Sequence, residues 1–201
     1  VRAMRILSEN DVDGMVGYTD CSEIPAFAVM DLVDGPNLGE AVRAGYLDDW
    51  QDLLRFAIEL SSVIRRAHQL ALRVLHRDIR PANIMLKDYE ANPDQSHVVV
   101  LDFDLSWHRD ALEVSVTQGP AMHGYLAPEL TDPCLGYSTR NAAVDSFGLG
   151  MTFYFMRTKA DPTYMQHRHA SWAEDVSRRV LEHRCPTWVS LPRRFADLIL
   201  L

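Results

Sequence analysis

The chain has 201 residues, of which 47% are hydrophobic and 24% charged, a composition typical of a globular protein with a substantial core. Its net charge of −8 disfavours nucleic acid as a partner, and no apolar run is long enough to cross a membrane. The three cysteines lie far apart in the sequence, which indicates reduced thiols and a cytoplasmic location.

The N-terminal third is predicted to contain a strand, a turn and a long helix. Residues 26–33, AFAVMDLV, are apolar and rich in strand formers, and residues 34–37 have strong turn chemistry. From Asp48 to Ala71, apolar residues recur at spacings of three and four. This period predicts an amphipathic helix, which Asp48 or Asp49 would cap at its start.

The central part is predicted to contain a hairpin, a long loop and a buried helix. Residues 83–86 and 97–103 read as two short strands joined by a polar loop. Residues 106–124 show no periodicity, and a loop of that length is usually functional. Residues 142–156 are apolar nearly all round and predict a buried helix. Two more helices are expected at 172–184 and from 191 onward.

Three short motifs carry the chemistry of this sequence, and they occur in a fixed order. The tripeptide H-R-D at 76–78 is followed by Asn83, which gives the pattern H-R-D-x-x-x-x-N. The tripeptides D-F-D at 102–104 and A-P-E at 127–129 come next. Each motif alone is a weak signal, but their order and intervals together resemble those of the protein kinases.

The resemblance implies an α+β, protein-kinase-like fold with a mainly helical large lobe. Residues 1–33 would be the remnant of the small β-lobe and the hinge strand, and residues 34–201 a truncated C-terminal lobe. The chain begins at Val1 rather than methionine and stops within the apolar run 197–201, so we expect it to be part of a longer protein. The glycine-rich loop and the strand lysine would precede Val1, so this chain alone is expected to be inactive.

The resemblance assigns the catalytic and metal-binding roles to four residues. Asp78 would accept or orient the proton of a substrate hydroxyl, and Arg80 would neutralise charge on the transferred phosphoryl group. Asn83 and Asp102 would hold Mg²⁺ against the phosphates of ATP, because this hard cation takes oxygen ligands.

A second set of residues would hold the rest of the nucleotide. By resemblance, residues Met30 to Val33 form the hinge between the two lobes. Backbone groups of Asp31 and Val33 would meet the edge of the adenine, and Asn37 would lie near the ribose. Together with Asp102, these residues make up the predicted ATP site.

Other residues of the same motifs would have structural or regulatory roles. His76 is expected to stack on Phe103, and Asp145 is expected to accept backbone N–H groups of the catalytic loop. Arg77 would dock a phosphorylated residue of the long loop. The candidates for that phosphorylation are Ser115 and Thr117.

Three residues depart from the kinase pattern. Ala3 falls where the glutamate partner of the strand lysine would lie, and Asp104 replaces the glycine of D-F-G. Met122 stands where a threonine commonly contacts the catalytic aspartate.

The sequence therefore predicts a protein kinase that transfers the γ-phosphoryl group of ATP to serine or threonine hydroxyls of protein substrates. Arg80 also occurs at this offset in some tyrosine kinases, whereas the segment GYLAPE at 124–129 is more typical of the serine/threonine class. Two alternatives remain at this stage. One is a pseudokinase with a binding or scaffolding role, favoured by Ala3, Asp104 and Met122; the other is a small-molecule phosphotransferase.

Overall fold

Short antiparallel strands and helices follow one another along the chain, which confirms the predicted α+β class. The computed structural model describes residues 2–24, 26–111, 123–131 and 136–162. The helices in these ranges are α1 Arg2–Glu9, α2 Leu38–Arg43, α3 Trp50–Gln69, α4 Pro128–Thr131 and α5 Ala143–Thr158. The strands are β1 Tyr18–Glu23, β2 Ala26–Met30, β3 Val74–Leu75, β4 Ile84–Lys87, β5 His97–Val100 and β6 Trp107–His108. Across the described part of the chain, no helix combines the length and apolarity needed to span a bilayer.

Helix α3 lies at the centre of the main core, as the apolar period predicted. Asp49 is its N-cap, and the Asp49 carboxylate accepts the Gln51 N–H at 2.7 Å. The buried side chains of α3 recur every three or four residues, so they form one stripe along the helix. They are Leu53, Phe56, Ala57, Leu60, Val63, Ile64 and Ala67. Helix α5 packs against α3, and the predicted buried helix is thereby confirmed.

The predicted hairpin is present, but both strands are shorter than expected. Strands β4 and β5 pair antiparallel from Ile84 opposite Val100 to Lys87 opposite His97. Asn83 ends a 3₁₀ turn that begins at Pro81, and the proline favours this tight start over a strand. The second strand ends before Asp102, whose φ of 59° is incompatible with extended backbone.

The predicted strand 26–33 also ends early, at Met30. The segment after it leaves β2 and runs beside β4 instead. Pro36 and Asp34 accept N–H groups of Leu86 and Asp88, both at 2.9 Å. Gly35 has a φ of 131°, and a Cβ there would collide with the carbonyl oxygen of Leu86. Only glycine therefore lets the segment of residues 34–36, which follows the hinge, approach β4 so closely.

Several short elements were not predicted from the sequence. The expected loop 106–124 contains β6, which pairs with β3 through Leu75 opposite Trp107 and Val74 opposite His108. A two-residue strand is too short to show a hydrophobic period, which explains the error. Helix α2 was also missed, although Asn37 and Glu40 form a capping box at its start. The helices predicted at 172–184 and from 191 onward lie outside the described residues.

The packing of α3 generates a prediction about stability. Leu60 is 1% exposed in the main core, whereas Leu54 on the same helix is 40% exposed. Leu60→Ala removes buried methyl groups and leaves a cavity, so we expect it to lower the free energy of unfolding by about 2–5 kcal/mol. Leu54→Ala is the matched control and should change it by less than about 1 kcal/mol. Urea unfolding of both variants measures the difference; equal losses would show that α3 does not pack through the Leu60 face.

Candidate active site

The loop that carries the H-R-D motif is fastened to α5 by one buried carboxylate. Asp145 is 1% exposed, and its two oxygens accept the backbone N–H groups of His76 at 2.9 Å and Arg77 at 2.7 Å. The Nε2 atom of His68 lies 2.7 Å from the same carboxylate. Arg77 has a φ of 67°, a conformation that needs support from its surroundings. The predicted role of Asp145 is confirmed, and its two backbone bonds hold the loop in this turn.

His76 has a structural role, as predicted. Its ring lies 4.7 Å from the ring of Phe103 at an angle of 52°. Its Nε2 atom is 2.8 Å from the carbonyl oxygen of Leu101, and its Nδ1 atom accepts the N–H of Asp78 at 3.2 Å. These partners assign the ring proton to Nε2, because a carbonyl oxygen only accepts and a backbone N–H only donates. Both ring nitrogens are therefore engaged in fixing the loop.

The carboxylate of Asp78 is buried and surrounded by hydrogen-bond donors and positive charge. The Asn83 Nδ2 atom donates to the Asp78 carbonyl at 2.9 Å and to Oδ2 at 3.0 Å. The Arg80 Nε atom lies 3.4 Å from Oδ2, and the His123 Nε2 atom lies 3.0 Å from Oδ1. These last two contacts are close but not aligned as hydrogen bonds. The structure thus brings together all three predicted catalytic residues, Asp78, Arg80 and Asn83.

The two predicted metal ligands lie at the same end of the β4–β5 hairpin. The Asn83 carbonyl accepts the N–H of Leu101 at 2.8 Å, and Asp102 is the next residue. Because Asn83 uses its Nδ2 atom to bond Asp78, its Oδ1 atom remains for a hard cation. Within the described ranges, no group of three or more His, Cys, Asp or Glu side chains could hold a metal by itself. The oxygen donors of Asn83 and Asp102 are of the kind that Mg²⁺ takes in proteins, where it usually has only one or two protein ligands.

The segment that follows the predicted hinge lies against the same hairpin. Asn37 forms an isolated bridge to Met85, so the ribose candidate is tied to the strand that begins after Asn83. Its side-chain oxygen accepts the Glu40 N–H at 2.9 Å, which leaves the amide nitrogen for a sugar hydroxyl. The Asp31 N–H donates to the Gly17 carbonyl at 2.9 Å. An adenine edge would therefore meet the carbonyl of Asp31.

Two of the remaining hinge residues differ in exposure. Met30, the last residue of β2, is 45% exposed, and Val33 is half-buried against the main core. The side chain of Val33 thus anchors the hinge segment, and the contact of its backbone with adenine stays a prediction.

The departures from the kinase pattern have distinct structural settings. Ala3 is buried in α1, so a small apolar side chain packs where the resemblance expects a glutamate. Asp104 does not have a positive φ, and its N–H donates to Asp102 Oδ1 at 3.2 Å, so aspartate replaces glycine without strained backbone. Met122 lies outside the described residues.

The side chain of Arg77 is held by residues outside the H-R-D loop. Its Nη2 atom donates to the Thr139 carbonyl at 2.7 Å, and its guanidinium lies 5.8 Å from the centre of the Trp107 ring. The candidate phosphorylation sites Ser115 and Thr117 lie outside the described residues, so the docking role of Arg77 stays a prediction.

Two residues of the site were missed at the level of the sequence. His68 follows Ile64 by four positions and so continues the apolar stripe of α3; a histidine on that stripe was the available signal. His123 follows Met122, which stands where the kinase pattern has a threonine. The available signal was therefore a hydrogen-bond donor next to the position that lacks one.

The anchoring by Asp145 generates a second prediction. Asp145→Asn keeps the shape of the side chain but removes the charge and one acceptor, leaving a buried backbone N–H without a partner. We expect the free energy of unfolding to fall by at least about 2 kcal/mol. The control is Asp52→Asn, which affects a half-exposed ion pair with Arg55 and should cost less than about 1 kcal/mol. If both variants were equally stable in urea, the buried carboxylate would not be the anchor of the loop.

Comparison with known proteins agrees with this geometry. A family model described as the protein kinase domain matches residues 4–200. The chain is 28% identical over 183 residues to the probable LRR receptor-like serine/threonine-protein kinase RPK1 of Arabidopsis thaliana, covering 86% of this chain and 32% of that protein. It is 30% identical over 136 residues to the serine/threonine-protein kinase PkaA of Streptomyces coelicolor, covering 67% of this chain and 23% of that protein.

A third relative extends the same pattern. The chain is 28% identical over 156 residues to the serine/threonine-protein kinase flr-4 of Caenorhabditis elegans, covering 76% of this chain and 26% of that protein. The matched region thus spans no more than about a third of the length of these three relatives. Because the family model matches nearly the whole sequence, the chain belongs to the protein kinase family.

Proposed function

We propose that the full-length protein transfers the γ-phosphoryl group of ATP to serine or threonine hydroxyls of protein substrates. The observation that carries this proposal is the buried carboxylate of Asp78, fixed by Asn83 and flanked by Arg80. Phosphoryl transfer needs little covalent chemistry from the enzyme, so positioning and charge stabilisation dominate the rate. A fixed carboxylate beside a cation and an amide supplies both.

Asp78 would act on the substrate hydroxyl. Its Oδ1 atom is shielded from solvent, so the substrate hydroxyl would approach Oδ2, the oxygen that Asn83 orients. Accepting or orienting that proton aims the hydroxyl oxygen at the phosphorus. The side chain of Arg80 is 35% exposed, so its remaining N–H groups are accessible to charge on the transferred phosphoryl group.

ATP and Mg²⁺ are the proposed cofactors. Asn83 and Asp102 would hold the metal, which would neutralise negative charge on the phosphates. Met30, Asp31 and Val33 would line the adenine pocket. Asn37 would offer its amide nitrogen to the ribose, because its oxygen is used in the helix cap.

The division of the chain and its cellular location are also part of the proposal. Residues 1–33 would belong to the small lobe with the hinge strand, and residues 34–201 to the large lobe. The short β1–β2 sheet precedes the hinge segment, and the described helices α2 to α5 follow it, which supports this division. Cys21 is a free thiol, which supports a reducing compartment such as the cytoplasm.

A pseudokinase is the second candidate function. Ala3 favours it, because the glutamate that would pair with a strand lysine is absent. Asp78, Asn83 and Asp102 favour catalysis, since all three are present and two of them are in direct contact. A small-molecule phosphotransferase is the weaker candidate, because the three relatives described above are named as serine/threonine kinases.

The proposed reaction predicts a specific loss in Asp78→Asn. The variant retains the shape of the side chain but cannot accept the hydroxyl proton, so kcat should fall by about 100-fold or more with little change in nucleotide affinity. The control is Asp94→Asn on the exposed loop between β4 and β5, which should keep wild-type activity. Transfer of ³²P from labelled ATP to a generic protein substrate, followed by phosphoamino-acid analysis, measures the effect.

The outcomes of this experiment separate the candidate functions. Phosphoserine or phosphothreonine made by the wild type and lost in Asp78→Asn supports the proposed function. A wild-type protein that binds ATP without transferring phosphate would be a pseudokinase. An Asp78→Asn variant with near-normal kcat would contradict the role of Asp78.

A further inference from the structure

We propose that His123 is a positioning residue for Asp78: it holds one oxygen of the catalytic carboxylate so that the other faces the substrate hydroxyl. This inference rests on the proposed function and adds a residue to it. The Nε2 atom of His123 lies 3.0 Å from Asp78 Oδ1. Oδ1 is shielded from solvent, and Oδ2 carries the contacts with Asn83 and Arg80. The two oxygens therefore have separate partners.

The hydrogen bonds of His123 determine which ring nitrogen carries the proton. Its Nδ1 atom accepts the backbone N–H of Tyr125 at 3.3 Å. A nitrogen that accepts a hydrogen bond has no proton of its own, so the neutral ring carries its proton on Nε2. The protonated Nε2 is the ring atom that lies 3.0 Å from Asp78 Oδ1, although its N–H is not aligned on that oxygen in this structure. Catalytic contacts of this kind often align fully only when substrate is bound.

The segment that carries His123 is fastened to the end of α5. The hydroxyl of Tyr125 donates to Asp161 Oδ1 at 2.7 Å. Burial, with the hydrogen bond to Asp161, raises the pKa of Tyr125 well above its usual value, so the phenol stays a donor. A Cβ at Gly124 would collide with the carbonyl of Pro162, which shows how closely the two segments pack. The position of the imidazole is therefore built into the fold.

The ring itself has a second support. It packs edge-on against the ring of Tyr125, with 5.8 Å between the centres and an angle of 60°. His123 thus has the fixed geometry that a positioning residue needs, because small displacements of a catalytic group cost large factors in rate.

The neighbouring residue explains why a histidine is needed here. The kinase resemblance places a threonine hydroxyl at the position of Met122, and methionine has no donor. The Nε2 atom of His123, one residue later in the sequence, lies beside the carboxylate in its place. Oδ1 of Asp78 is buried and has no aligned hydrogen bond in this structure, so without the imidazole beside it the carboxylate could rotate and lose the orientation of Oδ2.

The kinetic test compares two variants at His123 with a control variant at His97, all in the full-length protein. We expect His123→Ala to lower kcat by about tenfold or more, with KM for ATP and for the protein substrate within about twofold of wild type. His123→Gln restores an N–H donor at a similar reach and should regain activity to within about threefold of wild type. The matched control is His97→Ala, at the far end of the β4–β5 hairpin from Asn83, which should leave activity unchanged.

A double variant tests whether His123 acts through Asp78. In the Asp78→Asn background, His123→Ala should cause no further loss of kcat.

A readout independent of catalysis completes the test. ¹⁵N NMR of the histidine rings should show His123 with its proton on Nε2, and Asp78→Asn should shift that nitrogen signal. An active wild type with His123→Ala at normal kcat would overturn the positioning role alone. An inactive wild type would contradict the proposed function. The NMR experiment would still test the contact between His123 and Asp78, because a proton found on Nδ1 would overturn the positioning role.

Discussion

The buried carboxylate of Asp145 is the interaction on which the geometry of the site depends. A charge at 1% exposure is costly unless it is fully hydrogen-bonded, and here two backbone N–H groups and one histidine meet it. Through these two backbone hydrogen bonds, the carboxylate fixes the backbone of His76 and the left-handed conformation of Arg77. Asp78 follows directly, so the orientation of the proposed catalytic residue depends on an acid that lies on helix α5.

The β4–β5 hairpin connects this loop to the rest of the candidate nucleotide site. Asn83 precedes the first strand and bonds Asp78, while Asp102 follows the second strand by two residues. The segment of residues 34–36, which follows the hinge, runs beside the first strand, where Gly35 permits the close approach. One small hairpin therefore carries the proposed metal ligands at one end and contacts the ribose candidate Asn37 along its edge. Such rigid placement is what phosphoryl transfer requires, because its catalysis is mainly positional.

The sequence was most informative where function demands particular side chains at fixed intervals. The H-R-D-x-x-x-x-N pattern singled out Asp78 and Asn83, which the structure brings into contact, and the role of Asp145 was predicted by resemblance. The long helix α3 was predicted from its period, because its stripe of buried residues extends over several turns. These are local or family-wide patterns, and the fold preserves them.

The features that were missed arise from tertiary contacts. His68 and His123 approach their partners across long sequence separations, so their local sequence positions do not identify those partners. The predicted second strand 97–103 was too long because the left-handed backbone of Asp102 interrupts an otherwise strand-like composition. The β3–β6 pair was missed because each strand has only two residues. In each case the surrounding structure decides the local conformation.

In the proposed reaction, the Asp145-anchored loop and the hairpin place Asp78, Asn83 and Asp102 around one metal–nucleotide complex. A crystal structure of the full-length protein with Mn²⁺ and a non-hydrolysable ATP analogue tests it most directly, because anomalous scattering locates the metal. The account predicts manganese bonded to side-chain oxygens of Asn83 and Asp102 and to phosphate oxygens, with Asp78 facing the terminal phosphate. Manganese and nucleotide bound away from these residues would contradict it.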